Sequence, residues 1–303
     1  MPYILQTNQL TKVIGGKNLV TNVSMHVKKG EIYGFLGPNG AGKTTVMKML
    51  TNLWKPTDGS IELFGQKLTP TSYEVLKRIG SIIEFPTFYD HLSGTENLAL
   101  HCEYMGYYNP SSIENALEML NLADAGKKPV RSYSLGMKQR LGIARAILSK
   151  PELLILDEPT NGLDLAGMKQ IRDLLKMLCT EYGITIVVSS HILSEIESIA
   201  DTIGVINHGA LIKEVTMKEI SEMSLAYIEL SVINTKKASY VLADKVGLDN
   251  FKIVEDGKIR IYDHHISTQE LSKVLALNDI EIVAIGKKAE TLEDYFLKMT
   301  AEV

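Results

Sequence analysis

The chain has 303 residues, of which 45% are hydrophobic and 22% charged, with a formal net charge of -4. This balance excludes a disordered chain, and no net positive field favours nucleic acid as a partner. Cys102 and Cys179 lack metal-ligand spacing and read as reduced thiols. The opening MPYILQTNQL does not read as a signal peptide, and no apolar run approaches the roughly 18 residues a spanning helix needs.

The length suggests two domains. In chain order, GEIYGFL (residues 30 to 36) reads as a buried strand. GPNGAGKTT follows and fits G-x-x-x-x-G-K-[ST]. In such a loop, Gly37, Pro38, Asn39, Gly40, Ala41 and Gly42 fold around the phosphates, and the glycines let the backbone N–H groups of every residue but the proline reach phosphate oxygens. Lys43 adds charge, Thr44 offers a hydroxyl to Mg²⁺, and Thr45 continues into the helix. That helix places Val46, Met49, Leu50 and Leu53 at helical spacing. A strand near residue 83 is followed by Glu84. Residues 92 to 149 lack long β runs and read as helical. Within them SLGMKQ (134 to 139) looks like a second anion-gripping element, in which Ser134 can cap a helix starting near Met137 and Gly136 permits close backbone approach.

A buried strand, Leu153 to Leu156, ends at Asp157 and Glu158. Alone these two read as solvated turn acids as readily as a site. Beside a phosphate loop, Asp157 suits Mg²⁺ through water, and Glu158 suits orienting or deprotonating the attacking water. A third strand, Ile184 to Val188, leads to His191, placed for contact with a terminal phosphate. From Tyr227 the pattern becomes β-rich. Ile228, Leu230 and Val232 alternate, and Asp256-Gly257 predicts a type I′ hairpin turn. Ser267 with Glu270 forms a capping box, and Leu292, Tyr295, Phe296 and Met299 share a helical face. With a helix over 236 to 245 the order βαββαβ plus a final helix is ferredoxin-like. The expected domains are 1–219, with a helical subdomain at about 86–149, and an α+β accessory domain at 224–303.

These motifs together resemble the ATP-binding cassette (ABC) family, the nucleotide-binding subunits of membrane transporters. YSLGMKQR resembles the family's signature through Ser134, Leu135, Gly136 and Gln139, with Met137 in place of the commoner glycine. LLILDEP resembles its second nucleotide motif, NGLD with Asp164 the loop that crosses between subunits, and His191 the switch histidine. The resemblance covers residues 1 to about 216. It implies a P-loop NTPase cassette with a RecA-like core, an antiparallel β subdomain and a helical subdomain, binding Mg²⁺ with ATP. It further implies a head-to-tail homodimer or paired cassette and an integral-membrane permease as partner, with no nucleic acid. The expected location is the cytoplasmic face of a bacterial membrane. Catalysis would fall to Glu158, His191 and Lys43, and metal binding to Thr44, Asp157 and Glu84. Ser134 either caps its own helix or reaches a nucleotide held by the partner, or does both.

Two departures stand out. Ile14 occupies the place where the family often stacks an aromatic on adenine, which predicts weak base discrimination. Glu84 stands where glutamine is usual, as in exporters protecting bacteria against lantibiotics and bacitracin-like peptides, and EFPTFYDHLSGTENL resembles that subgroup. The function expected is therefore the ATPase of such an exporter. An importer ATPase with a ligand-sensing C-terminal domain is the alternative. Phe85, Phe88, Tyr89, Tyr104, Met105, Tyr107 and Tyr108 read either as a groove for a permease helix or as ordinary core.

Overall fold

The computed structural model describes residues 3–106, 109–222, 226–263 and 266–289. The chain divides into two compact units, Met1–Ile220 and Ser221–Val303.

The first unit holds two sheets. A six-stranded sheet runs in the order Ala210–Thr216, Thr202–Asn207, Ile32–Leu36, Thr185–Ser190, Leu153–Leu156 and Ile79–Ile82. The first pair is antiparallel and the remainder parallel. Every residue of Ile32–Leu36, Leu153–Leu156 and Thr185–Ser190 is buried. That is the condition of parallel strands covered on both faces, and it is why these segments read as continuous apolar runs. A second, antiparallel sheet is built around the long strand Tyr3–Ile14, flanked by Lys17–Val23 and Asp58–Leu63. The helix Lys43–Leu50 contributes Val46, Met47, Met49 and Leu50 to one core with Leu5, Leu10, Tyr33 and Phe35. The helix that carries the phosphate loop is thus fixed from behind by apolar packing.

The helical segment holds Gly94–Tyr104, Pro110–Met119 and Leu135–Ile147. Each starts at a side-chain cap. Ser93 forms a capping box with Glu96, Asn109 accepts from Ser111 and Ser112, and Ser134 accepts from Met137. The signature helix therefore begins at Leu135, two residues before the position read from sequence.

The second unit has four antiparallel strands in the order Phe251–Glu255, Lys258–Ile261, Ala226–Val232 and Ile282–Ala289. Helices Thr235–Val241 and Thr268–Leu277 supply Val241, Leu271 and Leu275 to its core, where they meet Ile228, Leu230, Ile259 and Ile261. Ser267 and Glu270 form the capping box read from sequence. The hairpin turn differs from expectation. Type I′ needs positive φ at both central residues, and here Gly257 takes it (φ 85°) while Asp256 does not. The ladder next to the turn is irregular, with a register shift between Ile253 and Glu255. The helix expected over 236–245 is α-helical only to Val241 and closes as a π turn over Leu242–Val246. The face formed by Leu292, Tyr295, Phe296 and Met299 lies outside the described residues, as do Tyr107 and Tyr108.

Candidate functional site

Because five strands of the large sheet run parallel, their carboxyl ends reach one edge, and four of them lead into residues of the site. Leu36 leads into Gly37, Ile82 towards Glu84, Leu156 into Asp157 and Ser190 into His191. Residues separated by more than a hundred positions meet there, as is usual for ligand sites on open α/β sheets.

The phosphate loop is held by close backbone packing. A Cβ at Gly37 would overlap the Ile206 carbonyl. Gly42 sits at φ 105°, and a Cβ there would stand 2.9 Å from the Leu19 carbonyl oxygen. Gly42 also caps Lys43–Leu50 without a side-chain hydrogen bond, so the first amides of that helix are left for a ligand. Lys43 Nζ donates to Gly37 O (2.6 Å) and Pro38 O (3.2 Å) and pairs with Glu158 Oε1 at 3.0 Å. The cleft, about 570 Å³, is lined by Asn39, Gly40, Gly42, Lys43, Thr44, Thr45 and Glu158 together with Lys17, Asn18, Leu19, Asn161, His208 and Gly209.

The carboxylates are tied into this loop. Thr44 Oγ1 donates to Asp157 Oδ2 (2.7 Å), and Ser189 Oγ donates to Asp157 Oδ1 (2.7 Å). Ser189 Oγ in turn accepts from Glu158 N (2.9 Å). Glu158 takes a left-handed conformation (φ 48°), which turns its carboxylate out of the strand direction. Its Oε2 lies 2.7 Å from His191 Nδ1 and its Oε1 faces Lys43. One acid therefore touches both flanking cationic or potentially cationic groups named from sequence.

The signature segment lines a different cleft of about 250 Å³, with Ser134, Leu135, Gly136 and Arg140 on one side and Gly162, Leu163 and Asp164 on the other. Ser134 Oγ accepts from Met137 N (3.2 Å), and Asp164 Oδ1 accepts from Gly167 N (2.8 Å). Leu135 and Leu165 are 45% and 82% exposed. Gln139, grouped with these from sequence, is buried.

Glu84 bonds to Lys48 (2.6 Å), one helical turn beyond Thr44, and Lys48 also lies over the Trp54 ring at 4.8 Å. Ile14 ends its strand opposite Lys17 and is 45% exposed, while the cleft lining from that hairpin is Lys17, Asn18 and Leu19. Phe88, Tyr89 and Tyr104 line a groove of about 330 Å³ with His101 and Arg145, whose guanidinium lies over Phe88. Sequence reasoning missed Ser189, Asn161, Glu195 and the His208-Gly209 turn. The turn had a signal, since both residues take positive φ (45° and 80°) as a His-Gly pair between strands permits. Its Gly209 N donates to Ala41 O within the phosphate loop (3.0 Å).

The family model described as ABC transporter matches residues 20–161. YcbN, an ABC transporter ATP-binding protein of Bacillus subtilis (strain 168), is 59% identical over 99% of this chain and 97% of its own. The chain belongs to the ATP-binding subunits of ABC transporters. The bacitracin transport ATP-binding protein BcrA of Bacillus licheniformis is 44% identical to this ABC ATPase over 99% of this chain and 98% of its own. Among solved structures, the ATP-binding cassette MJ0796, dimeric in a post-hydrolysis state with ADP and Pi, aligns with a TM-score of 0.63 at 26% identity, covering 70% of this chain and 98% of that one. Cassettes of this family work as dimers with membrane permeases. No helix among the described residues is long and apolar enough to cross a membrane.

Proposed function

We propose that this ABC ATPase energises export of a bacitracin-like or lantibiotic peptide through a separate permease, as two copies closed head to tail around two Mg-ATP. The observation that carries the dimer is that the two anion-gripping elements line separate clefts with no residue in common. Each cleft supplies half of what a triphosphate needs, so the signature of one copy completes the phosphate loop of the other. The exposed Leu135 and Leu165 then become buried between copies.

Thr44 Oγ1 and Asp157 Oδ2 form a hard-oxygen pair that fits Mg²⁺. Among the described residues no cluster of three or more His, Cys, Asp or Glu is poised for a metal, which suits an ion that takes few protein ligands and completes its shell with phosphate and water. Mg²⁺, when bound, neutralises phosphate charge; Glu84 is a further candidate to hold it. Lys43 exchanges Glu158 for the terminal phosphate. Glu158, released from that pair, accepts a proton from the attacking water while His191 fixes its carboxylate and reaches the terminal phosphate. Loss of that phosphate removes the contacts particular to the closed dimer, which reopens. The groove around Phe88, Tyr89 and Tyr104 is the proposed seat of a permease helix.

The reading is tested in cells producing the chain with its permease. Protection against bacitracin or a lantibiotic should appear and vanish with Glu158→Gln. Unchanged susceptibility with an active ATPase would remove the exporter assignment.

A further inference from the structure

Glu195 is 5% exposed, and it lies on the short helix Leu193–Glu197 just beyond the switch histidine. Its Oε2 accepts two hydroxyl bonds, from Thr160 Oγ1 (2.7 Å) and Ser190 Oγ (3.0 Å). Its Oε1 is buried with no hydrogen-bond partner. A buried carboxylate left half-bonded is costly, so packing alone does not explain the residue. Apolar side chains of that size would fill the same space at lower cost.

The two donors bracket the hydrolytic pair. Ser190 precedes His191, and its Oγ also accepts from Ile192 N (3.0 Å), so both neighbours of His191 are tied to one hydroxyl. Thr160 lies two residues after Glu158, and its carbonyl accepts from Leu163 N (3.1 Å) within the loop that leads to Asp164. The third attachment is Ile196, next to Glu195. A Cβ at Gly34 would overlap Ile196 Cγ2, so the short helix lies directly on the strand that delivers the phosphate loop. One carboxylate therefore joins the His191 turn to the Glu158–Asp164 loop, on a helix seated against the phosphate-loop strand.

We infer that Glu195 is a positioning residue for hydrolysis: by holding Thr160 and Ser190 together it sets the 2.7 Å approach of His191 Nδ1 to Glu158 Oε2. It does not line the phosphate-loop cleft and acts through the two loops. The inference rests on Glu158 and His191 being the hydrolytic pair, and Glu158→Gln, run in parallel, tests that premise separately.

The test uses the full-length chain with four variants: Glu195→Ala, Glu195→Gln, Thr160→Val and Ser190→Ala. Turnover comes from phosphate release, affinity from titration with trinitrophenyl-ATP, and stability from thermal denaturation. Misplacement of a reacting group by about 1 Å lowers rate by about a hundredfold. Glu195→Ala should therefore lower kcat by about tenfold to a hundredfold, with trinitrophenyl-ATP affinity within about threefold of the parent. In Glu195→Gln the amide oxygen still accepts both hydroxyl bonds, but its NH₂ enters a site without an acceptor. This variant should lose Tm yet keep kcat within about threefold, because position rather than stability is what turnover reads. Thr160→Val and Ser190→Ala should each lower kcat, and each should add little on the Glu195→Ala background. Parental kcat in Glu195→Ala, or kcat that follows Tm through all four variants, overturns the inference. If Glu195→Ala does not fold, the Thr160→Val and Ser190→Ala double variant decides by the same measures: a lowered kcat with parental affinity sustains it, and parental kcat overturns it.

Discussion

Replacing Glu158 by glutamine changes one charge and almost no volume, so its effects can be separated. A positioned general base contributes about 10²- to 10⁴-fold to rate, which at about 1.36 kcal/mol per tenfold is roughly 2.7–5.4 kcal/mol of barrier. The amide accepts no proton, so most of that should be lost. Binding should move the other way. Lys43 Nζ lies 3.0 Å from Glu158 Oε1, with the two side chains only 5% and 19% exposed. At an effective dielectric near 20 the gross attraction is about 5 kcal/mol, most of it offset by desolvation of both charges. Glutamine still accepts from Lys43 but no longer competes as an anion with the terminal phosphate. Nucleotide affinity should therefore rise, by roughly 1–2 kcal/mol. The variant should bind ATP tightly, release phosphate at least about a hundredfold more slowly and elute as a dimer in ATP. The assays are phosphate release under saturating ATP, nucleotide titration and size-exclusion chromatography. Turnover within about threefold of the parent would refute Glu158 as base, and weaker binding would refute the competition for Lys43.

Gly42→Ala forces a side chain into φ 105° and to within 2.9 Å of the Leu19 carbonyl, so nucleotide affinity should fall and stability drop by about 1–3 kcal/mol, read by titration and thermal denaturation. Glu84→Gln removes the negative charge opposite Lys48 but not the acceptor, and it should keep ATP binding while shifting the Mg²⁺ dependence or rate of hydrolysis; an identical Mg²⁺ titration would make Glu84 a bystander. Burial, aided by the Arg145 charge, holds the His101 imidazole below its ordinary pKa of 6.5. The unfolded chain then takes up a proton first as pH falls, so His101 lowers stability below about pH 6.5 and down through its folded pKa. His101→Gln should flatten the pH dependence of Tm in that window, and an unchanged slope would assign it to other groups.

The large sheet and phosphate loop were legible because their signals are local. The loop is nine consecutive residues between an apolar strand and an amphipathic helix, and the caps at Ser134 and Ser267 each act within three residues. The hairpin at Asp256-Gly257 shows the limit of such reading. The dipeptide permits type I′, but only Gly257 takes positive φ, and the ladder beside the turn carries a register shift between Ile253 and Glu255. The partner of Glu84 was also hidden, since sequence placed it near the metal ligands while its carboxylate meets Lys48, 36 residues away.

By itself the sequence determined the phosphate-loop motif, the helix-capping side chains and which acids follow strands, because backbone hydrogen bonding and side-chain periodicity operate over a few residues. Only the tertiary structure decided which of these groups meet. Lys43 finds Glu158, Thr44 finds Asp157 and Glu195 joins Thr160 to Ser190. Those meetings follow from the order and parallel register of buried strands, which bring distant chain segments to one edge of a sheet and which no short stretch of sequence encodes.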